Sequence, residues 1–247
     1  MKKQILSFLS ASALILSLSA TPIFAAGSTD VPAQEVSINS DIEVSNVFID
    51  FINEGFNNPK GFEVKDSNGL DVTEKFIESV KGPYYIGDYK TIKKVVQDQN
   101  LTLSNTVRTQ IENHDGLNKN SAAIATVSGE SVTKEFYHVA QDSTGRFSKE
   151  WKVALSGTFS YTNNFQVTSA SGPSVRLTYA PFGAMFSPAI DNVRTSNSYS
   201  GYKASFVGSY DMRAVMSVGI GNLPVNTNLN FGSYTESFSA YPSAMQN

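Results

Sequence analysis

The sequence predicts an α+β protein in which a small N-terminal helical region precedes a larger antiparallel β-sandwich or barrel. Two changes along the chain predict this division. Near residue 120, the spacing of apolar residues changes from about 3.6 to about 2, which indicates a change from helix to strand. Charge changes too, because residues 27–150 carry 19 acidic and 12 basic side chains, whereas residues 151–247 carry 3 and 5. We therefore expect a mainly helical region over residues 40–118 and an antiparallel β domain over residues 121–247.

Residues 1–26 have the three-part pattern of a secretory signal peptide. Lys2 and Lys3 supply a positive start, an apolar stretch runs from Leu6 to Leu16, and small residues end at Ala26. The apolar stretch is too short to be a transmembrane helix, which needs about 20 residues. We expect cleavage near Ala26, a flexible start over residues 27–39, and a protein that is secreted into the extracellular space.

The first helix is expected from about Asp41 to Glu54. Ser40 and Glu43 have the spacing of a capping box, in which two side chains satisfy backbone N–H groups at the start of a helix. Apolar residues then recur at helical spacing, and Gly55 is placed to end the helix. This segment should bury one apolar face.

Three further segments of the same region show weaker helical signals. Thr73 can cap a short helix that Lys81-Gly-Pro83 should end, because proline cannot continue helical hydrogen bonding. Asp88 can cap the next helix, which has an apolar stripe. Residues 105–113 predict a weak helix after that, and the polar residues 113–120 predict a linker.

A turn is predicted at Asp66-Ser-Asn-Gly69, between two short alternating segments that would form a small hairpin. The side chains from Asp66 to Glu74 also include oxygen ligands of the kind that Ca²⁺ prefers. Their spacing departs from that of a calcium loop, since glycine stands at the fourth position and Ile77 at the twelfth. Turn formation and helix capping account for all of these residues, and calcium binding by Asp66–Glu74 is left open.

Alternation of apolar and polar residues is clearest in three segments of the β region. It runs from Trp151 to Tyr161, from Val175 to Tyr179 and from Ala204 to Val218. Long strands with serine and threonine on one face have two interpretations. One is an ordinary sheet with a solvated polar face, and the other is a membrane-inserting hairpin of a pore-forming protein. The alternation alone does not separate them.

Composition excludes several classes of function. The 247-residue chain contains no cysteine, so it has no disulfide, no thiolate metal site and no thiol nucleophile. The net charge of −3 becomes −5 when Lys2 and Lys3 are removed. An acidic chain without a basic cluster argues against nucleic acid as a partner.

The sequence contains no recognisable catalytic constellation. Its two histidines are His114 and His138, and neither the HExxH zinc motif nor the GxSxG nucleophile motif occurs. Asp211 and Arg213 lie on one face of a predicted strand and should form a surface ion pair. We expect no enzymatic activity, no metal and no cofactor.

Tyr199 and Tyr202 are the candidate ligand-binding residues. Tyrosine has a flat apolar face and a polar edge, which suits stacking on sugars and contact with proteins. These two tyrosines lie in a polar, turn-like segment, where we expect them to be exposed. A binding site would gain support if they bordered one concavity together with Asp191 and Asp211.

These observations predict a secreted, non-enzymatic protein that binds an extracellular surface, a glycan or a protein through its β domain. The alternative is a membrane-active protein, pore-forming or antimicrobial, whose long alternating strands insert into a bilayer. A third possibility is a hydrolase whose acids meet only in the folded protein. A pocket that contains His138 and at least two carboxylates would favour the hydrolase.

Overall fold

The computed structural model describes residues 43–105, 108–112, 128–220 and 223–245. These residues form three helices, which are α1 (Asn46–Asn57), α2 (Thr73–Tyr85) and α3 (Tyr89–Asp98). They also form the strands β1 (Glu63–Lys65), β2 (Thr102–Ser104), β3 (Arg108–Glu112), β4 (Ser128–Gln141), β5 (Ser148–Tyr161), β6 (Val167–Tyr179), β7 (Phe186–Ser200), β8 (Lys203–Ile220) and β9 (Leu223–Ala240).

The strands form two antiparallel sheets. The first has the order β1-β2-β4-β5-β6, with β3 also paired to β4, and the second has the order β7-β8-β9. The chain passes from the last strand of the first sheet, β6, to an outer strand of the second sheet, β7, through residues 180–185. Helices together with two antiparallel sheets, with most of the structure in strands, confirm the α+β class.

The first helix differs from the prediction at both ends. The hydroxyl of Ser45 accepts a hydrogen bond from the backbone N–H of Phe48 at 3.1 Å, so Ser45, and not Ser40, caps α1. The helix also continues past Gly55 to Asn57. A Cβ atom at Gly55 would lie 2.6 Å from the ring of Phe62, so this glycine is required for close packing rather than for helix termination.

Two further helix predictions are wrong. α2 continues through Pro83 to Tyr85, since the fixed φ of proline is compatible with a helix and its missing N–H removes one hydrogen bond from the last turn. Residues 108–112 form β3 rather than a helix. The hydrogen bonds that β3 makes with β4 stabilise the strand more than the weak helical preference of this segment stabilises a helix. The predicted cap of α3 is confirmed, since the Asp88 carboxylate accepts a hydrogen bond from the N–H of Thr91 at 3.1 Å.

The helices and the first sheet share one hydrophobic core. Tyr137 and Val139 of β4 pack in the same cluster as buried side chains from all three helices. Lys93 of α3 and Glu150 of β5 add a buried ion pair, with Nζ and Oε2 2.5 Å apart. The described residues all belong to one compact unit.

Several predictions concern residues outside the described ranges. These are the signal peptide, the flexible start over residues 27–39 and the boundary between residues 118 and 121. Within the described ranges, no helix is long and apolar enough to cross a bilayer.

The alternation from Ala204 to Val218 belongs to β8, as predicted. From Ala204 to Ala214 its inward side chains are buried and include Phe206, Tyr210 and Met212. Phe206 fills the space above Gly157 of β5, where a Cβ atom would lie 2.3 Å from the ring. Packing against the first sheet therefore accounts for the apolar face of β8.

Candidate functional site

Tyr199 and Tyr202 flank the tight turn between β7 and β8, at one end of the second sheet. Strand pairing sets Tyr199 opposite Ala204 and Ala204 opposite Ala240, so Tyr241 lies at the same end. The side chains of Tyr199, Tyr202 and Tyr241 are 52%, 48% and 44% exposed. The structure therefore places both predicted residues together at an exposed end and adds a third tyrosine.

Asp191 and Asp211 lie in a different place. They oppose each other across β7 and β8, about 26 Å along β7 from Tyr199 at about 3.3 Å per residue. The Arg213 guanidinium lies 3.3 Å from Asp211, which confirms the predicted ion pair. Hydrogen bonds, led by that from Ser233, hold the pKa of Asp211 below its usual value. The two tyrosines and the two aspartates do not border one concavity.

A buried polar cluster around His138 of β4 connects the two sheets. Its Nε2 lies 2.9 Å from Oε1 of Glu236 on β9 and 3.1 Å from the hydroxyl of Tyr210 on β8. The imidazole also stacks on Trp151, with ring centroids 5.2 Å apart. Burial, with the charge of Glu236, raises the pKa of Tyr210 well above its usual value. A hydrolase of this kind is expected to have two carboxylates in an open pocket. The His138 cluster is instead buried, and its carboxylate is that of Glu236.

The carboxylates of the Asp66–Glu74 loop bind the loop's own backbone. Asp66 accepts hydrogen bonds from the N–H groups of Asn68 and Leu70, and Asp71 accepts one from the N–H of Thr73, each at 2.9 Å. The hydrogen bond from the N–H of Leu70 holds the pKa of Asp66 below its usual value, and that from the Thr73 hydroxyl, with the one from the N–H of Thr73, does the same for Asp71. In the described part of the chain, no three potential metal-ligating side chains are grouped together, and His114 lies outside that part.

β6 and β7 are the most exposed long strands of the β region. Every residue from Asp191 to Ser200 is exposed, whereas β5 and β8 bury most of their inward side chains. Ten of the residues from 167 to 200 are serine or threonine. The same segment contains three charged residues, Arg176, Asp191 and Arg194.

Next to the connection, β6 and β7 each have one apolar face and one polar face. The half-buried residues of one face are Val175, Leu177, Tyr179, Phe186, Pro188 and Ile190. The exposed residues that alternate with them are Ser174, Arg176, Thr178, Ser187, Ala189 and Asp191. The connection itself is held by buried Phe182, whose ring packs edge-on against Trp151 with centroids 6.4 Å apart.

The sequence prediction missed a second apolar surface, on the turn between α2 and α3. Tyr85 and Ile86 are 74% and 79% exposed, more than any other large hydrophobic side chain in the described ranges. Their chemistry does not signal exposure, because the similar residues Val80 and Tyr84 of the same helix are buried and half-buried. Packing of the helices decides which of these side chains face solvent.

Comparison of this chain with models of protein families, with curated proteins and with solved structures found no match. Function is therefore inferred from the geometry and chemistry of these surfaces.

Proposed function

We propose that this chain is a secreted, non-enzymatic protein that acts on an extracellular surface by inserting β6 and β7 into its membrane. One observation carries this proposal: two consecutive strands, each at the edge of a different sheet, together have an apolar face and a polar face. Such a pair can leave both sheets without changing the order of the remaining strands. We also infer that the two sheets form an open sandwich, because β6 and β7 are outer strands of separate sheets and a closed barrel has no outer strands.

The connection over residues 180–185 lets β6 and β7 pair with each other as a hairpin. In that pairing Tyr179 opposes Phe186 and Val175 opposes Ile190, so that the apolar side chains share one face. Ser174 then opposes Asp191 on the other face. A membrane-spanning strand requires this alternation, with apolar side chains toward lipid and polar side chains away from it.

Length and charge also fit a bilayer. A spanning strand needs about 9–11 residues; β6 and β7 have 13 and 15, and the two halves of the segment 174–191, connection included, have nine each. The charged residues between positions 174 and 191 are Arg176 and Asp191, which lie on the polar face and have opposite signs. The face that would contact lipid therefore carries no charge over this length.

One hairpin alone would leave two edges of unpaired backbone N–H and C=O groups in the lipid. Each unpaired group costs several kcal/mol in hydrocarbon, so insertion requires several copies whose hairpins pair edge to edge. We therefore expect membrane leakage to rise more steeply than linearly with protein concentration.

Dye release from phosphatidylcholine vesicles tests the proposal. We expect release at sub-micromolar protein, and loss of release when β6 is tethered to β5 by a disulfide. Ser156 and Ser174 are direct cross-strand partners, so Ser156→Cys with Ser174→Cys should form this tether. Reduction of the disulfide should restore release. The natural chain contains no cysteine, so only the introduced thiols react.

A matched control tethers two strands that do not move in this proposal. Ser205 of β8 and Ser239 of β9 are also cross-strand partners, with hydroxyl oxygens 3.2 Å apart. Oxidised Ser205→Cys with Ser239→Cys should release dye as the unmodified protein does. No release by the unmodified protein, or equal release by the two oxidised variants, would contradict insertion of β6 and β7.

A second candidate function is binding of a glycan or protein by the exposed tyrosines at the end of the second sheet. It is favoured by the grouping of Tyr199, Tyr202 and Tyr241, whose flat faces suit stacking on a sugar ring. We expect Tyr199→Ala with Tyr202→Ala to lose binding to a panel of immobilised oligosaccharides, and Tyr85→Ala to retain it. Equal binding by both variants would exclude the tyrosine end as the site.

A further inference from the structure

We propose that the turn between α2 and α3 docks the protein on the bilayer before insertion, with Tyr85 and Ile86 entering the interface between headgroups and acyl chains. This inference takes its partner, a lipid bilayer, from the proposed function. It assigns the contact to a different part of the chain from β6 and β7. Docking and insertion can therefore be measured separately.

The turn is held firmly by its neighbours. Tyr84 stacks on Phe56 of α1, with ring centroids 3.8 Å apart and planes 10° apart. The hydroxyl of Tyr89 donates a hydrogen bond to Oδ1 of Asn53 at 2.7 Å. Stacking before the turn and hydrogen bonding after it fix the direction in which Tyr85 and Ile86 project. A turn whose backbone is ordered in advance loses less conformational entropy when it binds.

Several backbone groups of the turn are already hydrogen-bonded within the protein. The N–H of Gly87 donates to the carbonyl of Tyr84 at 3.1 Å, and the N–H of Asp88 donates to the carbonyl of Pro83 at 2.9 Å. Gly87 has a φ of 72°, which glycine adopts without strain. Backbone groups that are paired internally do not need water, so they can approach the apolar part of a bilayer at little cost.

The chemistry of the turn fits a lipid interface better than it fits a sugar. Tyrosine is favoured at the level of the headgroups, where its ring is in contact with apolar groups and its hydroxyl with water. Isoleucine has no flat face to stack on a sugar ring, whereas burial in acyl chains removes its whole side chain from water. A sugar ligand would leave Ile86 exposed.

Charge around the turn is compatible with a phosphate-bearing surface. Lys81 and Lys90 lie on either side of Tyr85 and Ile86 and are exposed. The carboxylate of Asp88 also lies in the turn, where it accepts hydrogen bonds from the N–H and hydroxyl of Thr91, caps α3 and interacts with the charge of Lys90. Long basic side chains beside an inserted apolar pair can reach the phosphate groups of lipids.

The experiment measures sedimentation with vesicles, in the background of the oxidised Ser156→Cys, Ser174→Cys tether so that β6 cannot insert. Vesicles of phosphatidylcholine, with and without phosphatidylserine, are the probe. We expect the tethered protein to bind, and Tyr85→Ser with Ile86→Ser to lower its partition coefficient by about tenfold or more. Leu70→Ser is the matched control, because Leu70 is 64% exposed on a different turn and should change binding by less than about twofold.

Weaker binding of the Tyr85, Ile86 variant with normal binding of the Leu70 variant supports docking by this turn. Equal binding of the Tyr85, Ile86 variant and its parent overturns it, as does failure of the parent to bind either kind of vesicle. If docking depends on Tyr85 and Ile86 while the untethered protein releases no dye, docking stands and insertion of β6 and β7 fails.

Discussion

Phe182 holds the connection of the proposed hairpin in place, and Val167 at the start of β6 is also buried. Between residues 174 and 191 it is the one buried residue, and its ring contacts those of Trp151 and Phe231. The other inward side chains of this stretch are only half-buried. We therefore expect loss of the Phe182 ring to ease release of the connection between β6 and β7.

Phe182→Ala should lower the free energy of unfolding by about 3–5 kcal/mol and should also speed dye release, because the connection is no longer anchored. Phe206→Ala, which removes a similarly buried ring from β8, should lower stability by a similar amount without this gain. Urea denaturation and the initial rate of release measure the two effects. Equal rates for the two variants would show that Phe182 has no special part in release.

Sequence reasoning predicts residue exposure only where polar neighbours surround an aromatic. Tyr199 and Tyr202 stand in a polar turn, and their predicted exposure is confirmed. Tyr85 and Ile86 stand in an apolar run at the end of a helix, where the same residue types would fit a core. Their exposure follows from how α2 meets α1 and α3, which a single sequence does not show.

At the scale of secondary-structure elements, strands with strict alternation were predicted and others were not. β8 alternates over its buried length because one face packs on the first sheet. β7 lacks alternation from Asp191 to Ser200 because both of its faces meet solvent, so no periodic signal exists there. β3 is a strand because it pairs with β4. That pairing partner is distant in sequence, so the local spacing of apolar residues in β3 does not predict a strand.

The attachment of α3 to β5 depends on the ion pair between Lys93 and Glu150. Burial acts to raise the pKa of Glu150, but hydrogen bonding, led by Lys93, and the charge of Lys93 outweigh it, so the pKa is lowered overall. A lowered pKa means that ionised Glu150 stabilises the folded state at pH values above its ordinary pKa of 4.5. That contribution is lost as the pH falls from this value through the pKa of the folded protein.

Lys93→Met should lower the free energy of unfolding by about 3–5 kcal/mol at neutral pH, because Glu150 is left buried without its partner. The difference in free energy of unfolding between the variant and the unmodified protein should shrink at acid pH, because Glu150 is then protonated in both proteins. Lys94→Met removes an exposed pair with Asp98 and should change stability by less than about 1 kcal/mol. A difference for Lys93→Met that does not vary with pH would contradict this account.

At the scale of the whole molecule, the helical core and the His138 cluster do not involve β6 and β7, whereas the two clusters between the sheets include Val167 of β6 and Phe182 of the connection. The helical core includes residues of β1, β2 and β4, and the contact of His138 with Glu236 and Tyr210 connects β4 with β8 and β9. Neither group of contacts uses a side chain from residues 167–200. In this proposal, these two groups of contacts stay in place while β6 and β7 leave their sheets, and the clusters between the sheets lose Val167 and Phe182.

The central claim is that β6 and β7 enter lipid with one face apolar and the other polar. A fluorescent probe on a single introduced cysteine tests it directly, at Ile190→Cys on the apolar face and at Ala189→Cys on the polar face. On vesicles, we predict that the probe at position 190 shifts to the blue and is quenched by a lipid-attached quencher, while the probe at position 189 stays in water. Identical responses at the two positions, or no change at either, would contradict the claim.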